Sequence, residues 1–221
     1  MTNKKYFFIG IGGIGMSSIA QYLHEKENTI LGYDASENKT VKILIKKGIK
    51  VTNKLSLKSI PDYMKKDDVI VVYTPAIPDD NVFLKYFRTN GNIKIYKRSE
   101  LLGEISKKSI CIAVAGTHGK TTTSAIISHL FYSSGIQFKA FIGGIMKCFD
   151  SNFINTGNDY IIVEADEYDR SFLNLNPDYA VITSIESDHL DIYGDFKSLT
   201  ESFQLFTNNV KDVLITDAEI D

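Results

Sequence analysis

The sequence predicts an α/β protein in which two parallel-sheet domains follow one another. Short apolar runs alternate with helix-compatible segments along the chain, the pattern of strand–helix–strand units that build a parallel sheet. Two of those runs break at glycines and re-emerge as helices, one around Gly10–Gly15 and one around Gly116–Lys120. The length of 221 residues accommodates two ordinary domains, each with its own core.

Composition narrows the class. Hydrophobic residues make up 43% and charged residues 24%, the balance of a folded globular protein. A formal net charge of -2 with scattered lysines gives no electrostatic footprint for nucleic acid. No apolar run is long enough to cross a membrane, and the run behind Lys4 and Lys5 is too short for a signal peptide. The expectation is a cytoplasmic chain without a membrane partner. Cys111 and Cys148 form neither a metal pair nor a disulfide framework and read as free thiols.

The first domain opens with a strand over Tyr6–Ile9. Gly10, Gly12 and Gly15, with Ile11, Gly13 and Ile14 between them, then spell G-x-G-x-x-G before a helix from Met16 to about Lys26. In that setting the motif is Rossmann-like, with a diphosphate seated on the helix N-terminus. The next strand, Thr29–Tyr33, ends in Asp34, where an acid accepts from ribose hydroxyls. The turn selects a diphosphate and leaves the nucleotide open, NAD being the common occupant. A helix over Val41–Lys47, strands over Ile49–Val51 and Asp68–Tyr73, a loop over Thr74–Pro78, a strand over Ile93–Tyr96 and a helix over Glu100–Lys107 complete the domain. Lys107-Lys108-Ser109 reads as a linker, which divides the chain into 1–108 and 109–221.

The second domain opens with an apolar strand over Ile110–Ala115, followed by Gly116-Thr117-His118-Gly119-Lys120-Thr121-Thr122 and a helix that stops at Gly135. This is a P-loop-type turn shortened by one feature, since Val114 stands where the longer pattern has its first glycine. Glycines let backbone amides curl around an anion, Lys120 adds a charge, and the Thr121 hydroxyl is placed for Mg²⁺. A strand over Phe138–Ile142 leads to Gly143-Gly144. The apolar run Tyr160–Val163 then delivers Glu164 to a strand end, where a carboxylate meets a metal held by the turn. Asp166, Glu167 and Asp169 are open between the site and a solvated loop. A further strand over Tyr179–Ile185 precedes Asp188-His189, and His189 beside acids suits a ligand or proton-handling role. A helix over Phe196–Asn208 and a strand over Val213–Thr216 bring the chain to Asp221 with its sheet still growing, as in a fragment of a longer protein.

With Gly10–Gly15, Ala115–Thr123, Glu164-Ala165-Asp166-Glu167 and Asp188-His189-Leu190-Asp191 read in order, the chain resembles the Mur ligases. Phe8–Met16, Ala113–Thr123 and Ser171-Phe172-Leu173 followed by Pro177 are the most specific parts of that resemblance. It implies that the first domain binds the UDP of a sugar nucleotide through Gly10–Gly15 and Asp34. The second domain, a truncated ATP-binding domain, would hold ATP through Gly116, Thr117, His118, Gly119, Lys120, Thr121 and Thr122. Thr121 and Glu164 would take one Mg²⁺ and His189 a second, so that Lys120, Glu164 and His189 form the catalytic set. The implied reaction is ATP-dependent attachment of L-alanine to UDP-N-acetylmuramate in peptidoglycan precursor synthesis. Ser184 stands where that subgroup usually has asparagine, and Tyr168-Asp169-Arg170 also resembles the sibling that attaches a peptide during muropeptide salvage. That sibling, a nicotinamide-dependent enzyme and a non-catalytic nucleotide-binding module are the alternatives, and the oligomeric state is open.

Overall fold

The computed structural model describes residues 3–186 and 190–217. The chain divides into two compact units, Met1–Leu101 and Leu102–Asp221, and the predicted α/β class holds in both.

The first unit runs β1 (Lys5–Ile9), α1 (Ile14–Glu25), β2 (Thr29–Tyr33), α2 (Lys39–Lys46), β3 (Lys50–Thr52), β4 (Val69–Tyr73), α3 (Val82–Thr89) and β5 (Lys94–Lys97) into the start of α4 (Arg98–Ser106). Its strands are all parallel in the order β3-β2-β1-β4-β5, which is how a sheet grows outward in both directions from a first strand. That central place explains the composition of β1, where Phe7, Phe8 and Ile9 are fully buried: a strand covered on both faces is apolar without alternation. Phe7 meets Phe83 and Phe87 at ring-centroid distances of 5.4 and 5.2 Å, so α3 covers one face. Sequence pattern alone predicts no helix there. The start of α3 is set by the Asn81 side chain, which accepts from the Phe83 and Leu84 amides, an N-cap followed by only two turns of helix.

The second unit continues through α4 to β6 (Ile110–Ala115), α5 (Lys120–Ser133), β7 (Phe138–Met146), β8 (Ser151–Asn155), β9 (Tyr160–Glu164), β10 (Tyr179–Ile182), α6 (Leu190–Tyr193), α7 (Phe196–Thr207) and β11 (Val213–Thr216). The described strands lie in the order β11-β10-β6-β9-β7-β8, parallel except for the β7–β8 pair. The predicted strand end at Gly143-Gly144 is instead a register irregularity inside β7, and the chain returns as β8 after a turn in which Asp150 has φ +45°. Polar residues at Ser151, Asn152 and Asn155 hide that edge strand in the sequence, although Phe153 and Ile154 are buried. Ile112, Phe138, Ala140, Ile142, Ile154 and Ile162 form a core against Ile127 and Phe131 of α5. The register pairs Ala115 with Ile182 and Val114 with Glu164, so β6, β9 and β10 end at one edge of the sheet.

One glycine in β2 has a packing rather than a turn role. A Cβ on Gly32 would overlap the Ile11 side chain, which is fully buried beneath the first glycine turn. Gly32→Ala should therefore destabilise the protein by about 1–3 kcal/mol through overpacking; urea unfolding should show a lower midpoint with an unchanged slope, and an unshifted midpoint would refute this account of the contact.

Candidate functional site

The first unit's glycine turn is held from within. Gly10 has φ +83°, and the Gly10 and Ile11 amides donate to the Tyr33 carbonyl at 2.8 and 3.0 Å. Asp34 accepts from the Gly12 amide at 2.7 Å and from the Ser36 amide and hydroxyl at 3.0 and 2.8 Å. The acid at the end of β2 thus fixes the turn's shape directly, and a ribose hydroxyl would share a carboxylate already in use. Gly13 precedes α1 in extended conformation and supplies no side-chain cap, leaving the first turn of the helix open to an anion. The Arg98 side chain lies against Gly15, where a Cβ would come 2.8 Å from Nη1.

In the second unit the buried end of β6 leads into Gly116, with φ +128°, and Gly119, with φ +83°. A Cβ on Gly116 would collide with the Thr183 hydroxyl, so glycine is required by conformation and by space. The loop after β10 clamps this turn. Ser184 accepts from the Thr117 amide through its carbonyl at 2.9 Å and from the His118 amide through Oγ at 3.1 Å. The Thr183 hydroxyl donates to His118 O, and the Thr117 hydroxyl accepts from the Glu186 amide at 2.9 Å. Thr117 and His118, expected to turn their amides to phosphate, therefore bond them to Ser184. Gly119 offers no side-chain cap to α5, so the first turn of that helix stays open to an anion.

Lys120 and Thr121 each meet a different glutamate. The Thr121 hydroxyl donates to Glu164 Oε2 at 3.0 Å, and the Gly143 amide donates to Oε1 at 2.6 Å. A Cβ on Gly143 would strike that carboxylate, which gives the glycine inside β7 its reason. Lys120 Nζ contacts Glu167 Oε1 at 2.9 Å and Oε2 at 2.8 Å and also donates to the carbonyls of Gly116 and Thr117. Glu167, open in the sequence between site and solvated loop, is 1% exposed. Its position three residues after Glu164 is the available signal, but an acid in a run of acids reads equally as solvated. Thr183, Ser184 and Gly143 join the site without being predicted for it. His118 is exposed, 3.7 Å from Glu186 Oε2, and His189 lies outside the described residues.

A hydroxyl and a carboxylate in contact at a helix start are hard oxygen donors of the kind Mg²⁺ takes while keeping several waters. They fit such an ion, although no group of three or more His, Cys, Asp or Glu side chains forms a metal cluster among the described residues. Along α5 runs an apolar cleft of about 480 Å³, lined by Thr121, Ala125, Ile126, Leu130, Ile142 and Met146 among others.

Burial pushes the Glu164 carboxyl above its ordinary value of 4.5, against the pull of the Gly143 amide, the Thr121 hydroxyl and Lys120. Such a carboxyl binds its proton more tightly in the folded state. Its stabilising contribution is full below about pH 4.5 and is lost as pH rises through the raised value. Glu164→Gln removes that loss. In metal-free buffer the variant should melt above the parent at pH 7 and close to it at pH 4; a variant that melts lower at pH 7 would contradict the assigned environment.

Comparison with known proteins also divides the chain in two, a few residues beyond the boundary of the compact units. Residues 5–109 match the family profile described as "Mur ligase family, catalytic domain", and residues 114–221 match the "Mur ligase middle domain". The UDP-N-acetylmuramate--L-alanine ligase of Christiangramia forsetii is 43% identical over 211 residues, 95% of this chain and 46% of that protein. The enzyme of the same name from Porphyromonas gingivalis is 46% identical over 210 residues, 94% of this chain and 46% of its own length. The crystal structure of the UDP-N-acetylmuramate-alanine ligase of Thermotoga maritima superposes with a TM-score of 0.87 at 30% identity, covering 97% of this chain and 49% of that one. The chain spans about half the length of the curated relatives it matches. The paired glycine turns, the carboxylates facing the second of them and these matches across both units together mean that the chain belongs to the Mur ligase family.

Proposed function

We propose that the chain supplies the sugar-nucleotide and ATP-binding parts of an ATP-dependent ligase that joins L-alanine to the lactyl carboxylate of UDP-N-acetylmuramate, in cytoplasmic peptidoglycan precursor synthesis. Residues 1–108 take the UDP-sugar, with its diphosphate on the Gly10–Gly15 turn at the start of α1. Residues 109–221 take ATP on the turn from Gly116 to Thr122. The observation that carries this reading is the pairing of Lys120 and Thr121, adjacent at the start of α5, with two separate carboxylates from the end of β9 and the loop behind it.

A carboxylate is a poor acyl donor because oxide is a poor leaving group. The lactyl oxygen therefore attacks the γ-phosphorus, the bond to the β-phosphate oxygen breaks, and ADP leaves behind an acyl phosphate. The alanine amine then attacks the carbonyl carbon, phosphate departs, and the amine loses a proton. Lys120 and the first amides of α5 oppose the charge that builds on the transferred group, and such electrostatic stabilisation does most of the catalysis in phosphoryl transfer. Thr121 and Glu164 would hold Mg²⁺, which when bound neutralises charge on the phosphate oxygens. His189 is kept as a candidate for a second ion. Gly143, through its amide, keeps Glu164 aimed at Thr121.

Calorimetric titration of the 221-residue chain with Mg·ATP and with UDP-N-acetylmuramate tests the reading. Both should bind, and Lys120→Ala should weaken Mg·ATP by about two orders of magnitude, given about 1.5–3 kcal/mol for each hydrogen bond to a charged group, while leaving the sugar nucleotide unaffected. Saturable NADH binding without competition from UDP, or unchanged Mg·ATP affinity in the variant, would overturn it. In the protein at its relatives' full length, L-alanine should outcompete L-alanyl peptides as acceptor, and the reverse would assign the chain to the peptide-adding sibling.

A further inference from the structure

Lys120 is the charged centre of the proposed ATP turn, yet its ammonium points into the protein. Its three N–H groups face three acceptors: the Gly116 carbonyl, the Thr117 carbonyl and the Glu167 carboxylate. An ammonium has no fourth donor. A phosphate oxygen can therefore gain Lys120 only by displacing one of these partners. Two of them are neutral carbonyls of the turn itself. The third is an anion, and it occupies with respect to Lys120 the electrostatic role that a phosphate would take.

Glu167 is also held firmly. It is almost wholly buried, its carbonyl accepts from the Tyr193 hydroxyl at 2.5 Å and from the Arg170 amide at 2.9 Å, and the Arg170 guanidinium lies 5.6 Å from the centre of the Tyr193 ring. Asp169 and Arg170, consecutive and neither of them glycine, both adopt left-handed backbone with φ +53° and +51°. Conformations of that kind persist where the surroundings over-determine them. Two separate elements, the short helix α6 and the strained segment after β9, thus converge on the main chain of one residue, Glu167, whose carboxylate is paired with Lys120.

We propose that Glu167 is a positioning residue that competes with a bound triphosphate for Lys120, holding the ammonium back over its own turn until phosphate oxygens displace the carboxylate. Glu164 faces Thr121 on the metal-binding side and Glu167 faces Lys120, so the two glutamates divide the work of the strand end: one to hold an ion, one to set how tightly the turn holds phosphate. The inference rests on the phosphate-binding reading of the turn. A purely structural ion pair makes the opposite prediction, since removing its acid would loosen the turn and weaken any ligand there.

Inorganic tripolyphosphate, which lacks sugar and base, is the probe, titrated calorimetrically with Mg²⁺ into the 221-residue chain. Glu167→Gln keeps the side-chain size and removes the competing charge. It should bind tripolyphosphate at least about tenfold more tightly than the parent, the factor equivalent to about 1.4 kcal/mol and near the lower limit for a hydrogen bond to a charged group. Binding by the variant where the parent shows none would support the proposal equally. Equal or weaker binding by a folded Glu167→Gln would overturn it while leaving the ATP reading intact, provided that Lys120→Ala abolishes the parent's binding. If neither parent nor variant binds tripolyphosphate, the proposal falls, and the Mg·ATP titration decides the ATP reading separately. Tyr193→Phe, which frees the Glu167 main chain without touching its charge, should tighten binding in the same direction by a smaller factor. Should Glu167→Gln fail to fold, an unchanged or reduced affinity in Tyr193→Phe would count against the proposal.

Discussion

Parallel strands deliver their carboxyl ends to one edge of a sheet, and in the second unit that constraint brings four stretches of sequence to the turn after β6. β6 contributes the turn, the end of β10 contributes Thr183 and Ser184, β9 and the loop behind it contribute Glu164 and Glu167, and β7 contributes Gly143. These four stretches are separated widely along the chain. Their meeting depends on the register that pairs Ala115 with Ile182 and Val114 with Glu164, because a slip of one residue would turn each strand's side chains to the opposite face.

The glycines of the two turns and of β7 answer to two physical demands, backbone conformation and space. Gly116 and Gly119 need left-handed backbone. Gly143 needs room, since a side chain there would strike Glu164. Gly12 is crowded by Val41 and Asp34, with a Cβ falling 2.6 and 2.8 Å from them. The last case shows how the first unit differs from the second: its turn is braced by the chain's own acid, Asp34, whereas the second turn is braced by hydroxyl and carbonyl groups of a neighbouring loop and keeps its acids for Lys120 and Thr121. Both arrangements satisfy backbone amides that would otherwise lie unbonded at a strand end, and both leave the first turn of a helix without a side-chain cap.

Burying carboxylates beside the turn after β6 is destabilising. Glu164 and Glu167 are both pushed above the ordinary carboxyl range by desolvation, against the pull of their partners. A protein selected for stability alone would place apolar or neutral groups there. Retaining two acids at the end of an apolar strand is the kind of local conflict expected where function overrides packing.

The order of strands and helices, the two glycine turns and the pairing of Glu164 with the second turn are legible in the residues themselves. Apolar periodicity, glycine position and the type of acid at a strand end are local properties of the chain. Short or polar elements are not legible: α3 is set by a single cap at Asn81, and β8 opens with Ser151 and Asn152, polar residues that are nonetheless buried where the strand pairs with β7. The same holds for Glu167. One acid among several in Glu164–Asp169 is indistinguishable from its neighbours until the backbone after β9 turns it inward against Lys120, and that turn is held by Tyr193, 26 residues further on. Local pattern determined which elements form, where the glycine turns fall and that Glu164 meets the second of them; only packing at a distance decided that Glu167 faces the lysine, because burial and partner choice are set by residues the chain brings together after its strands have paired.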